Sequence, residues 1–197
     1  MNALLLVDIQ NDFLPGGALA VAHGDEVVAA ANALYAGHSL VVATQDWHPA
    51  RHGSFASVQG GVAGTLGTLA GLPQVLWPDH CVQCSVGAAF ASGLELARIE
   101  AIFRKGCDPE IDSYSAFWDN GRRRATGLAG FLRERGVTDV TVCGLAMDYC
   151  VKFTAIDAVD AGFRVGLALG ACRGVELAAG DCDRALSEMV AAGVRIL

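Results

Sequence analysis

Lysine is scarce in this chain. Its fourteen basic residues comprise twelve arginines and only two lysines, Lys105 and Lys152. Positive charge is outweighed overall, with a formal net charge of −7, so there is no electrostatic footprint for nucleic acid or an anionic membrane surface. The one basic run, Arg122-Arg123-Arg124, reads as a solvated face. No long apolar run is present either. The stretch Ala3-Leu4-Leu5-Leu6-Val7 stops at Asp8 and has no basic flank, so neither a signal peptide nor a membrane span is expected. Charged residues make up only 18% against 53% hydrophobic, which excludes disorder and implies a packed core. Linker-like and low-complexity tracts are missing, and one domain over residues 1–197 is the expectation. Seven cysteines, an odd and scattered set, do not form a disulfide framework; they favour a reducing, cytoplasmic setting.

What the chain does contain is a regular alternation. Six short apolar runs have strand character: Ala3 to Asp8, Leu40 to Thr44, Ile99 to Phe103, Asp139 to Leu145, Phe163 to Leu169 and Val194 to Ile196. Helical patterns lie over Asp25 to Tyr35, Thr126 to Arg135, Asp148 to Ala161 and Asp181 to Ala192, ending before glycines. Alternating strands and helices predict an α/β sandwich: a mainly parallel sheet with right-handed crossovers and helices on both faces. Residues from 46 to about 94 break the rhythm. They are long, weakly periodic and rich in Gly, Pro and Trp, and a loop of that length in a compact domain is usually functional.

In open α/β sheets, ligands bind beyond the carboxyl ends of the strands. The polar residues found there are Asp8 (VDIQNDF), Asp46 (TQDWHPARHGSF), Lys105 (FRKG) and Cys150 (CGLAMDYC). Asp8 alone could serve as a cap. A lysine after a buried strand, in a chain that otherwise uses arginine, supplies a compact and tunable charge. Cys150 falls at a strand-to-helix junction, where the helix N-terminus and a nearby ammonium are expected to lower a thiol's pKa. The remaining cysteines lack such a setting and read as structural.

Asp46 and His48 stand two residues apart, so in an extended segment they project to one side. His80, in Trp77-Pro78-Asp79-His80-Cys81, is a further imidazole. One aspartate and two histidines make a set suited to zinc, iron or manganese, with open positions for water. Cys81-Val82-Gln83-Cys84 has no second pair, which argues against a zinc ribbon.

Together these segments resemble the nicotinamidase/pyrazinamidase branch of the isochorismatase-like cysteine hydrolases. The resemblance runs over essentially the whole chain through LLLVDIQNDFLPGGALAV, TQDWHPARHGSFAS, LWPDHC, FRKGCDPEIDSYSAFWDNG and CGLAMDYCVKFTAIDA. It implies a six-stranded, mainly parallel sheet in a three-layer sandwich, with the segment at about 46–94 as a metal-binding insertion. It also implies Cys150 as nucleophile, Asp8 and Lys105 as its partners, and the N–H groups of Ala146 and Cys150 as an oxyanion hole. Phe13, Trp77 and Tyr114 become pocket walls. Asp46, His48 and His80 become ligands of one divalent metal ion, zinc first, with iron or manganese as alternatives; His52 stays outside the set. A cis peptide between Leu145 and Ala146 is implied as well. The activity implied is hydrolysis of nicotinamide, and of pyrazinamide, to the acid and ammonia in NAD salvage. Another cysteine amidohydrolase of the superfamily, acting on N-carbamoyl or ureido substrates, and a non-catalytic binding protein are the alternatives. The small Gly/Ala-rich surface elements would permit self-association into a homo-oligomer.

Overall fold

Strand formation follows the apolar runs. The computed structural model describes all 197 residues. In chain order the elements are β1 (Asn2–Val7), α1 (Glu26–Leu34), β2 (Leu40–Asp46), α2 (Ala56–Gln59), β3 (Leu66–Leu69), β4 (Leu72–Val75), β5 (Ala101–Lys105), α3 (Leu128–Glu134), β6 (Asp139–Leu145), α4 (Lys152–Asp160), β7 (Arg164–Arg173), α5 (Asp181–Ala191) and β8 (Arg195–Ile196). A wide helical turn, Met147–Val151, leads into α4. Six strands form one parallel sheet in the order β5-β2-β1-β6-β7-β8, and β3 and β4 form a separate antiparallel hairpin.

Burial explains the strand sequences. All seven residues of β2 are buried, and so are five of the six in β1, because neighbouring strands and covering helices leave them no wet face. The edge strand β5 instead alternates, with Ile102 and Arg104 exposed. Helices α1 and α4 both pack on β6 and β7, and α4 also meets α5. One apolar core of 42 residues runs through the sheet and these helices. No helix is long and apolar enough to cross a membrane, and all seven cysteines are free thiols.

Two departures from the periodicity carry physical reasons. The hairpin β3–β4 is absent from the sequence reading, because its apolar side chains face outward: Leu66 is 72% exposed. Strand β7 runs four residues past Leu169, through Gly170, alongside an irregularity in β6 between Val142 and Gly144. Gly144 sits there at φ +127°, and a Cβ on it would lie 2.0 Å from the carbonyl oxygen of Val7. Strands β1 and β6 approach closely only because that side chain is missing.

Gly144→Ala is therefore expected to destabilise the fold by about 3 kcal/mol or more, combining overpacking with positive φ. Gly130→Ala in α3 meets nothing within 4 Å and is expected to add about 0.5–1 kcal/mol through helix propensity. Urea unfolding of the two variants checks both signs.

Candidate active site

Lys105 ends β5 and is 2% exposed. Its register partner across the sheet is Asp46, the last residue of β2, so the two side chains emerge side by side. The Lys105 Nζ stands 2.5 Å from Asp46 Oδ1, 2.8 Å from Asp8 Oδ2, 3.1 Å from the Ser113 carbonyl and 3.4 Å from Cys150 Sγ. The three N–H groups of this buried ammonium donate to Asp46, Ser113 and Cys150, while Asp8 Oδ2 meets it as an ion pair without a hydrogen bond. Asp8 follows β1 with φ +48°, a strained conformation for any residue but glycine. Its Oδ1 accepts the Thr44 hydroxyl at 2.6 Å, while the Asp8 N–H donates to the same hydroxyl oxygen at 3.2 Å.

The electrostatics follow from burial and from this lysine. Burial raises the pKa of Asp8, with Lys105 opposing and Asp46 reinforcing the shift. Asp46 is pushed up by burial too, but Lys105 and His48 outweigh it and hold the carboxyl well below its ordinary range. Burial works against a charged Lys105, yet Asp46 and Asp8 keep it protonated. For Cys150 burial dominates and pushes the thiol well above its ordinary value; Lys105 lowers it, and the two carboxylates raise it. The lowering expected at the helix N-terminus is thus outweighed by burial, and the thiol stands beside a carboxylate whose own proton affinity is raised.

Asp46, His48 and His80 come together as expected. Their ligand atoms lie within 4.8 Å of one another, and Asp46 Oδ2 is 3.6 Å from the Nε2 of each histidine. His48 Nδ1 contacts the Gly106 carbonyl at 2.9 Å and His80 Nδ1 the Pro78 carbonyl at 2.8 Å. A carbonyl can only accept, so Nδ1 carries the hydrogen and the neutral ring presents a lone pair at Nε2. Three electron-pair donors then face each other beyond hydrogen-bond distance, which fits a shared cation held by ligands about 2.0–2.2 Å away. Burial disfavours a charged His48, but the adjacent Asp46 carboxylate outweighs it and raises its pKa. A Cβ on Gly106, at φ +64°, would lie 2.4 Å from the His48 ring, so only glycine lets the carbonyl reach that imidazole. His52 groups with His48 and Asp112 rather than with Asp46 and His80; its Nδ1 is 2.7 Å from Ser54 Oγ.

A narrow pocket opens beside Cys150 and the Asp46–His48–His80 cluster. Phe13, Trp77, Tyr114, Asp46, His48, His80, Ala146 and Cys150 line it. Leu19, Asp112, Tyr149 and Val175 complete the wall and were not foreseen. Asp112 lies in the same FRKGCDPEIDSYS segment as Lys105, and Tyr149 adjoins Cys150, so position within the motifs was the available signal. Gln74 of β4 ties this wall together, donating to Asp112 Oδ2 and the Tyr114 hydroxyl, each at 3.0 Å. The peptide between Leu145 and Ala146 is cis. The Ala146 N–H, at the pocket wall, donates to no other group of the chain.

Comparison with known proteins places this geometry. A model of the isochorismatase domain matches residues 2–197. The chain belongs to the isochorismatase family. A nicotinamidase of Escherichia coli is 52% identical over 199 residues, covering 99% of this chain and 93% of that protein. The solved nicotinamidase/pyrazinamidase of Acinetobacter baumanii superposes with a TM-score of 0.96 at 42% identity, covering 100% of this chain and 95% of its own. A pyrazinamidase of Pyrococcus horikoshii, solved in complex with zinc, gives a TM-score of 0.81 at 38% identity, over 100% and 98% of the two chains. The six-stranded sheet and its flanking helices are those of this family.

Removing the ammonium would leave two buried carboxylates facing each other. Lys105→Met is expected to cost about 3–5 kcal/mol of stability at neutral pH, as for a broken buried ion pair. Without the lysine, both folded-state carboxyl pKa values would rise above the unfolded value of about 3.9. The deficit therefore shrinks as pH falls toward 4 and grows as pH rises. Denaturant unfolding of wild type and variant across pH 4–8 reads the slope directly.

Proposed function

We propose that this chain is a metal-dependent amidohydrolase that converts nicotinamide, and pyrazinamide, to the free acid and ammonia through a thioester on Cys150. The observation that carries the reading is the meeting, at one pocket, of Cys150, backed by buried Asp8 and Lys105, with the Asp46–His48–His80 donor set. The relatives from Escherichia coli and Acinetobacter baumanii, matched over 93% and 95% of their own lengths, are nicotinamidases. The donor set also favours this reading over other cysteine amidohydrolases of the superfamily, which need the first group but not the second.

Asp8, with its raised proton affinity, takes the proton from Cys150 Sγ as sulfur attacks the carboxamide carbon. Lys105, 3.4 Å from that sulfur, balances the developing thiolate. The N–H groups of Ala146 and Cys150 receive the oxyanion; one such donor is typically worth about 2.7–4 kcal/mol of barrier. Collapse breaks the carbon–nitrogen bond, and the Asp8 proton leaves with nitrogen as ammonia. Water, deprotonated by the same carboxylate, then opens the thioester to release the acid and the thiol. Phe13, Trp77 and Tyr114 give a flat apolar enclosure for an aromatic ring. Asp46, His48 and His80 would hold the metal, for which we assign zinc ahead of iron or manganese. When bound, the ion supplies a fixed electrophile that orients the ring nitrogen. We assign the enzyme to the cytoplasm, a setting that seven free thiols fit.

Cys150→Ala is expected to lower ammonia release from nicotinamide by on the order of 10⁴-fold or more with an unchanged thermal midpoint; turnover retained within tenfold would refute the covalent scheme. Chelation is expected to raise KM for nicotinamide much more than it lowers kcat, with recovery on adding zinc, since a positioning group contributes to binding. Steady-state kinetics on stripped and reloaded enzyme decide this, and an unaltered KM would remove the ring-orienting role.

A further inference from the structure

Gln10 takes no part in the chemistry above, yet it is fully buried and each polar atom of its side chain is engaged. Its Oε1 accepts the Asp46 N–H at 2.8 Å. Its Nε2 donates to the Asp46 carbonyl and to the Ala88 carbonyl, both at 2.9 Å. The reason lies in the sheet. Pairing between β1 and β2 ends at Leu6 and Ala43, three residues short of Asp46. On its other side Asp46 is still paired, with Lys105 of β5. Its N–H and C=O would therefore face a vanished neighbour. The carboxamide of Gln10, with one acceptor and one donor in a plane, stands in for the missing peptide group of β1.

We propose that Gln10 is a positioning residue for the metal ligand Asp46: a surrogate strand that extends the sheet by one residue pair and fixes the carboxylate in register with His48, His80 and Asp8. The inference rests on the metal-site reading given above. Partners that orient a ligand in this way typically contribute about 10–100-fold to metal affinity. A role in packing alone would place no demand on the donor and acceptor pattern. Gln10 follows Asp8 by two residues, so one short turn links the reacting carboxylate to the metal donor.

The test is zinc titration by calorimetry on purified, chelator-stripped wild type, Gln10→Met, Gln10→Glu, Asn11→Ala and Asp46→Ala, with thermal midpoints measured alongside. Gln10→Met is expected to weaken zinc binding about 10–100-fold. Gln10→Glu keeps the acceptor for the Asp46 N–H but turns a carboxylate oxygen toward the Asp46 and Ala88 carbonyls, so it should weaken zinc binding at least as much as Gln10→Met; it decides the matter if Gln10→Met does not fold. Asn11→Ala removes a 2.8 Å hydrogen bond from the same turn to the Val86 carbonyl and should bind zinc as wild type does. Wild-type zinc affinity in both Gln10 variants, with affinity lost in Asp46→Ala, would overturn the positioning role and leave the metal site standing. Weakening in Asn11→Ala equal to that in the Gln10 variants would overturn it too, by showing general damage to the turn. Wild-type affinity in Asp46→Ala would instead refute the metal-site reading itself.

Discussion

One buried ammonium holds the site together. Lys105 sits between two carboxylates that burial alone would drive toward the neutral form, and it touches the sulfur as well. A lone buried charge is costly, and a pair is stable only with close geometry and further hydrogen bonds. Here the Ser113 carbonyl and the Thr44 hydroxyl supply those bonds. The same contact separates two roles. Asp46 keeps its charge and is left with Oδ2 free for the donor cluster, while Asp8 keeps an unusual appetite for a proton. Two aspartates from adjacent strands thereby differ in proton affinity, set apart by what else each meets.

The parallel sheet makes this arrangement accessible. Strands β5 and β2 end level at Lys105 and Asp46 and the neighbouring β1 stops sooner, so Asp8, just past its end, joins them at one edge without any long loop. Cys150 reaches the row from the far side of β1, where β6 turns into the helix that carries it. That approach needs close strands, which Gly144 provides. The segment between β2 and β5 then closes the pocket from above, bringing His48, Trp77 and His80 over the sheet edge.

Much of this was legible in the chain because burial is written in composition. Continuous apolar runs such as Leu4 to Val7 and Leu40 to Ala43 can only be strands covered on both faces, and the polar residue ending each run marks the site. The hairpin Leu66 to Val75 was not legible, since exposed Leu66, half-buried Leu69 and Leu72, and Pro73 carry no period of two. Asp112 and Tyr149 were missed as wall residues because they lie outside regular strands, where tertiary folding rather than spacing decides what faces the pocket. The pKa of Cys150 was misjudged for a related reason. Sequence position reveals a helix N-terminus and a lysine, but not the two carboxylates and the depth that outweigh them.

Burial and the neighbouring carboxylates oppose a standing Cys150 thiolate, so in the proposed reaction the anion forms together with the carbon–sulfur bond. The most direct measurement is acid quench of enzyme turning over nicotinamide, followed by peptide mass spectrometry of all seven cysteines. The account predicts a nicotinoyl group on Cys150 and on no other cysteine, lost on treatment with hydroxylamine. Rapid ammonia release with unmodified Cys150, or acyl transfer to a different residue, would contradict it.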